Sequence, residues 1–112
     1  MSHADEFRRA REAAREQAAA DRARQERDRA DAERYRTEVR HAVWWCACNL
    51  HSFTVEDVEQ RLDAQGIRPR QDRVILVTVA KAIIARAIID TGHTRRVGRD
   101  DLPIYRKVEP NA

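Results

Sequence analysis

The chain has 112 residues, 37% of them charged and only 5% aromatic, with a formal net charge of +3, which permits nucleic-acid binding without requiring it. The length suits one domain, no run of apolar residues is long enough to span a membrane, and no secretory signal follows the first arginines. Cys46 and Cys48, two apart on a predicted helix, are poorly placed for a disulfide, so we expect a reducing, intracellular compartment.

The first part of the chain predicts a long charged helix. Residues 1–65 contain no Gly and no Pro, and Ala and Arg, both strong helix formers, dominate the beginning. Acid-first pairs such as Asp5 and Arg9 suit ion pairs on a helix surface. We predict a helix from about Ala4 to Arg36, within an extension of residues 1–36.

This extension has two possible states. In the seven-residue register that joins Phe7 to Tyr35, the positions between them include Asp21 and Asp28, which would interrupt a coiled-coil seam. The extension is therefore either a solvated single helix or a weak, alanine-lined coil that pairs in a dimer or with a partner.

Residues 37–108 predict a folded domain, followed by a tail of residues 109–112. Apolar side chains at spacings of three and four form one stripe on a first helix: Val39, Ala42, Val43, Cys46, Ala47 and Leu50. Thr54 and Asp57 predict the N-terminal capping box of a second helix, which Gly66 ends and Pro69 follows. The predicted buried face of that helix is Val55, Val58 and Leu62.

A third helix is predicted from an N-cap at Asp72 to Asp90, with Gly92 ending it. Its β-branched residues would suit a strand, but its length favours a helix. The helical wheel predicts a core side of Leu76, Val79, Ala80, Ile83, Ile84 and Ala87, flanked by Val77 and Ile88. Two short β-capable runs around a Gly/Asp/Pro loop then predict a hairpin. The fold class is mostly α: three helices and a hairpin, the order of a winged helix-turn-helix domain, behind a long charged helix.

The stretch from Phe53 to Arg106 also resembles a known family. The residues concerned are Phe53, Thr54, Glu56, Asp57 and Val58 in the second helix, Gly66 and Pro69 in the turn, Arg73, Ala82 and Ala85 in the third helix, Thr91, Gly92, Arg95 and Arg96 after it, and Pro103, Ile104, Tyr105 and Arg106 at the end. In this order they resemble small winged helix-turn-helix proteins encoded by actinobacterial phages and prophages. Leu76 and Arg86 stand where that family often has Gly.

The resemblance implies a DNA-binding fold, a regulatory or accessory role, and the cytoplasm of a bacterial host cell. If the domain binds double-stranded DNA, the start of the third helix should enter the major groove. The candidates there are Arg70, Gln71, Arg73, Thr78 and Lys81, and those on the hairpin are Arg95, Arg96 and Arg99. The alternative is that these residues are the solvated surface of a core helix and of a hairpin.

Trp44 and Trp45 fall on opposite sides of the first helix's apolar stripe, so at most one can join the core. The other, with His41 or Cys48 nearby, predicts an interface with a second copy or a partner protein. The alternative is that the extension folds back over it.

We predict no metal site, no cofactor and no enzymatic activity. His41, Cys46, Cys48 and His51 would point in different directions from one helix, and no catalytic constellation is present. Two functions remain: a DNA-binding phage protein, expected to be a homodimer, or a winged-helix interaction module for a host or phage protein.

Overall fold

The computed structural model describes residues 3–68 and 70–109. Within them the chain forms three helices, α1 (His3–Asn49), α2 (Val55–Ala64) and α3 (Asp72–Ile84), followed by two antiparallel strands, β1 (Ile88–Val97) and β2 (Asp100–Lys107). The predicted order of helices followed by a hairpin is confirmed. Pro69 and most of the predicted tail, residues 110–112, lie outside the described residues.

The chain divides into two units, Met1–Arg34 and Tyr35–Ala112. In the first unit every described residue is exposed, and side-chain contacts form between residues close in sequence, such as the hydrogen bond from Gln17 to Asp21. A helix that is polar on all sides is stabilised by such pairs along its own surface rather than by a core.

The second unit, which begins at Tyr35, contains one hydrophobic core. The buried stripe predicted for the first helix is present, except that Leu50 is only partly buried. Buried apolar side chains are contributed by all three helices and both strands: Tyr35, Val39, Ala42, Val43, Cys46, Ala47, Phe53, Val58, Leu62, Ile75, Val79, Ile88 and Tyr105. Tyr35 was predicted to belong to the charged extension; instead its hydroxyl accepts a hydrogen bond from the Gln71 backbone N–H, at 2.8 Å.

An isolated β-bridge connects the α1–α2 segment to the hairpin. Phe53 and Tyr105 exchange two backbone hydrogen bonds, of 2.9 and 2.7 Å, and their rings lie 5.9 Å apart. Both side chains are buried, so this pair holds β2 against the helices.

The two ends of α2 are as predicted. The Asp57 carboxylate accepts a hydrogen bond from the Thr54 backbone N–H at 2.9 Å, as part of the predicted capping box. After the helix, Gly66 takes a positive φ of 71°, and the Ile67 N–H bonds to the Leu62 carbonyl. This is a Schellman motif, in which glycine adopts the left-handed conformation at little cost.

The predictions for both ends of the third helix need correction. Its N-cap is Gln71, not the predicted Asp72, which is the first residue of the helix, and α3 ends at Ile84 instead of Asp90. It ends in a second Schellman motif, with the Ala87 N–H bonded to the Ala82 carbonyl and with Arg86 at φ 61°. Because Arg86 occupies the position that glycine usually takes, the sequence carries no visible stop signal there.

The predicted core side of α3 is correct only in part. Val79 is buried and Ile83 packs partly buried against the core, as predicted. Ile75 is buried although it was not predicted to be, whereas Leu76, Ala80 and Ile84 are exposed. Apolar residues occur all round this helix, so the wheel alone does not determine which face packs against α1 and α2.

Gly92 does not end a helix but lies within β1. Asp90 pairs with Tyr105 and Thr94 with Pro103, so three residues of β1 face a single residue of β2 in a bulge. Gly92 takes a φ of 79° there, and its N–H bonds to the Asp90 carboxylate at 2.9 Å. Glycine permits the positive φ at this irregularity.

We expect Arg86→Gly to stabilise the second unit. A left-handed conformation costs an L-residue roughly 1–2 kcal/mol, and the extra chain entropy of glycine offsets roughly half of that. The melting temperature should rise by about 2–5 °C, measured by circular dichroism of the full chain.

Two variants serve as controls for this prediction. Arg86→Ala removes the same charge but keeps the strained φ, so it should not stabilise. Gly66→Ala introduces the strain at the end of α2, where no atom lies within 4 Å of the added Cβ, and should destabilise by about 1 kcal/mol. A melting temperature for Arg86→Gly no higher than that of Arg86→Ala contradicts the prediction.

Candidate functional site

A groove of about 400 Å³ lies between the second-unit part of α1 and α3. Its apolar lining consists of Val43, Trp44, Val74, Val77, Ala82 and Ile88, and its polar lining consists of Arg36, Arg40, Arg73, Thr78 and Lys81. Sites of this size that combine an apolar lining with a few polar groups are typical binding sites. The groove thus brings together predicted DNA-binding residues on α3 with one predicted interface residue on α1.

The groove is basic. Arg36 and Arg40 reach it from α1, and Arg73 and Lys81 reach it from α3. Arg73 and Lys81 are exposed and form no ion pair with the residues that the structure describes. No acidic side chain lines the groove in residues 3–68 or 70–109, so its potential attracts anions.

Two other predicted DNA-binding residues, Gln71 and Thr78, form hydrogen bonds within the second unit. Gln71 is the exposed N-cap of α3 and its backbone bonds to Tyr35. Thr78 is half-buried in the groove, and its hydroxyl donates a hydrogen bond to the Val74 carbonyl at 2.7 Å. The Thr78 hydroxyl proton is therefore already used in a hydrogen bond within α3.

Arg70 is held by acidic neighbours. One guanidinium nitrogen contacts the Glu59 carboxylate on α2, and another pairs with Asp72. Its guanidinium therefore joins α2 to the start of α3, and the predicted contact of Arg70 with DNA stays a prediction.

The three predicted hairpin arginines differ in whether an acidic side chain pairs with them. Arg95 pairs with Asp57 at 3.3 Å and contacts the Ser52 hydroxyl, so it fastens β1 to the beginning of α2. Arg96 lies 4.0 Å from Asp101, its partner across the hairpin. Arg99 lies in the turn between the strands, is exposed, and forms no ion pair with the described residues.

The predicted interface residues are all exposed, but each tryptophan is partly covered by a cation. Lys107 lies 5.2 Å from the Trp44 ring, and the Arg61 guanidinium lies 4.2 Å from the Trp45 ring. The Arg61 contact joins Trp45 to α2 within the same chain. Trp44, 49% exposed on the groove wall, therefore remains the better candidate for an intermolecular contact.

The remaining predicted interface residues, His41 and Cys48, are exposed on α1. Cys46 lies in the core, where burial raises the pKa of its thiol to about 11 and disfavours the thiolate. Among the described residues no three His, Cys, Asp or Glu side chains are grouped to hold a metal ion.

Sequence reasoning missed the contribution of α1 to the groove. Arg36 was placed in the extension and Arg40 was not singled out, yet both line the groove with Trp44. The signal was their spacing: Arg36, Arg40 and Trp44 recur every four residues, as do Arg73, Val77 and Lys81 on α3. Such spacing places each set on one helix face.

Charge is distributed unequally between the two units. The first 34 residues carry nine basic and nine acidic side chains, whereas the remaining residues carry 13 basic and 10 acidic ones. Four of those ten acids lie on α2, which does not line the groove: Glu56, Asp57, Glu59 and Asp63.

No protein-family model, curated protein or solved structure matches this chain. Within the part of the chain that the structure describes, none of the helices has the length and apolarity needed to cross a membrane.

Glu59 should make stability depend on pH. Its side chain is buried and Oε2 has no hydrogen-bond partner. Burial, together with a hydrogen bond that the protonated Glu59 carboxyl donates to the Glu56 carboxylate, raises the pKa of Glu59 to about 7 despite the attraction of Arg70. Since the fold favours the protonated form, Glu59 should lower the free energy of unfolding progressively as pH rises from about 4.5 to about 7.

Glu59→Gln removes this titration. We expect the variant to melt on the order of 5 °C higher than the wild type at pH 8, and the difference to shrink toward pH 4.5. Asp63→Asn, at an exposed position of α2, is the matched control and should show no such trend. A variant that is less stable than the wild type at pH 8 would show that the Arg70 ion pair outweighs desolvation.

Proposed function

We propose that residues 35–109 form a winged helix-turn-helix domain that binds double-stranded DNA, in a phage or prophage protein with a regulatory or accessory role. The order of three helices and a hairpin supports the fold. So does the Phe53–Tyr105 bridge, which adds a one-residue strand between α1 and α2 and pairs it with β2. The proposal includes no catalytic step.

The observation that carries this proposal is the set of exposed cations without acidic partners. Arg73 and Lys81 on α3 and Arg99 in the hairpin turn are available for phosphate oxygens. These residues lie on the third helix and on the hairpin, the two elements that were predicted to contact DNA. Arg70 and Arg95 act differently in this proposal: they hold α3 and β1 in place through Glu59 and Asp57.

Most of the expected affinity is therefore electrostatic. The outward face of α3 carries Leu76, Val77 and Ala80, which offer no hydrogen bonds to base edges, although apolar side chains can contact thymine methyl groups. We accordingly propose binding with modest sequence preference.

A second candidate function is a protein-interaction module. It is favoured by the exposure of Leu76 and Ile84, at 55% and 81%, on the helix that DNA would contact. The homodimer expected from Trp44 and Trp45 stays a prediction; the Arg61 contact removes part of the Trp45 surface from it.

Binding of the full chain to random duplex DNA, measured by fluorescence anisotropy across a salt series, tests the DNA proposal. Affinity should fall steeply with salt, because phosphate contacts release counterions. Lys81→Ala and Arg99→Ala should each reduce the slope of log K against log salt by about 1.

Arg15→Ala, which removes the same charge from the first unit, is the matched control and should leave the slope unchanged. Absence of binding at low salt, or equal slopes for all three variants and the wild type, contradicts DNA binding by α3 and the hairpin. Circular dichroism of each variant confirms that it is folded.

A further inference from the structure

The outward face of α3 is apolar although it faces solvent. Leu76, Ala80 and Ile84 recur every four residues and lie in one row, with Val77 beside it. We call these four residues the α3 patch. Side chains as exposed as Ile84, at 81%, are common singly, but a row of them on one helix marks a surface that a partner covers.

The α3 patch continues into the groove. Val77 belongs to both, and it lines the groove together with Trp44, Val74 and Val43. The combined surface therefore consists of an apolar row beside an apolar channel, with a half-exposed tryptophan on its far wall. Large aromatic side chains in such positions contribute much of the binding energy at interfaces.

Cations border this surface. Arg73 precedes the α3 patch and Lys81 lies within its length, and neither forms an ion pair with the described residues. Lys107 lies over Trp44, and no acid lines the groove in the described part of the chain. A matching ligand therefore has an apolar face and anionic flanks.

We propose that the α3 patch and the groove bind an acidic amphipathic helix of a partner protein. Helix-in-groove recognition uses apolar anchors at i, i+3, i+4 and i+7, which here would contact Leu76, Val77 and Trp44. Glu or Asp side chains beside the anchors would pair with Arg73 and Lys81.

Other occupants match this surface less well. A second copy would bring the same cations to face one another across the contact, and like charges disfavour such an interface. Duplex DNA satisfies the cations but offers Leu76 and Ile84 only isolated thymine methyl groups instead of an apolar face. The acidic helix satisfies both properties of the surface.

This partner goes beyond the proposed DNA binding and would compete with it. Arg73 and Lys81 are the contacts that the two ligands share, whereas Trp44 and Ile84 serve only the helix, and Arg99 serves only DNA. A bound acidic helix would therefore displace DNA, so the partner would act as an antagonist.

The test uses a fluorescent peptide of at least about two helical turns, with Leu at the anchor positions and Glu elsewhere. The peptide is mixed with the full-length chain in the absence of DNA. We expect saturable binding in anisotropy. Two peptides of matched length should not bind: one with its Leu and Glu order scrambled, and one with Lys in place of Glu.

Variants distinguish binding of the peptide from binding of DNA. Trp44→Ala and Ile84→Ser should each weaken peptide binding about tenfold or more, the effect of losing an interface anchor, while DNA affinity changes less than twofold. Arg99→Ala should weaken DNA binding and leave peptide binding unchanged. Both Ile84 and Arg99 are exposed, so these substitutions leave the core intact.

Three results overturn the proposal. The first is no binding of the acidic peptide up to about 0.1 mM. The second is an equal loss of DNA and peptide affinity in Ile84→Ser, which assigns the α3 patch to DNA. The third is a dimer in light scattering that Ile84→Ser dissociates, which assigns the patch to a second copy. Because the peptide assay contains no DNA, failure of DNA binding alone leaves its outcome unaffected.

Discussion

The second unit depends on the pairing of Phe53 with Tyr105. A two-stranded ribbon alone is marginally stable in water, and this hairpin gains its support from the helices. The bridge provides two backbone hydrogen bonds and a buried aromatic contact at the point where α1 gives way to α2. On the other strand, buried Ile88 extends the same core and also lines the groove. The part of the groove wall that Ile88 of β1 contributes thus depends on this attachment.

Local signals in the sequence predicted local structure well. The α1 stripe, the Thr54 capping box and the Gly66 helix end each depend on residues within one or two turns, so their spacing is sufficient. The end and orientation of α3 were not predictable in this way. Arg86 adopts a left-handed conformation, which an arginine in the sequence does not predict. The burial of Ile75 rather than Leu76 is decided by contacts with other helices.

The candidate site shows the same limit. Sequence reasoning identified most of the cations, because residue type and helix position reveal them. It did not identify which cations are neutralised, because some of the partner acids lie on other elements: Asp57 on α2 is 38 residues from Arg95. Nor did it predict the groove, which is lined by residues of two helices distant in sequence, Trp44 on α1 and Val77 on α3 among them.

The cations that line the groove have no acidic side chain beside them in the lining, whereas Asp57 and Glu59 on α2 pair with Arg95 and Arg70, so the groove is a local concentration of positive charge in the second unit. A polyanion approaching in solution experiences a torque as well as an attraction, so productive encounters are favoured before contact. The association rate, rather than the lifetime of the complex, should carry most of the ionic-strength dependence. The first unit carries equal numbers of both signs and adds no net charge to this long-range field.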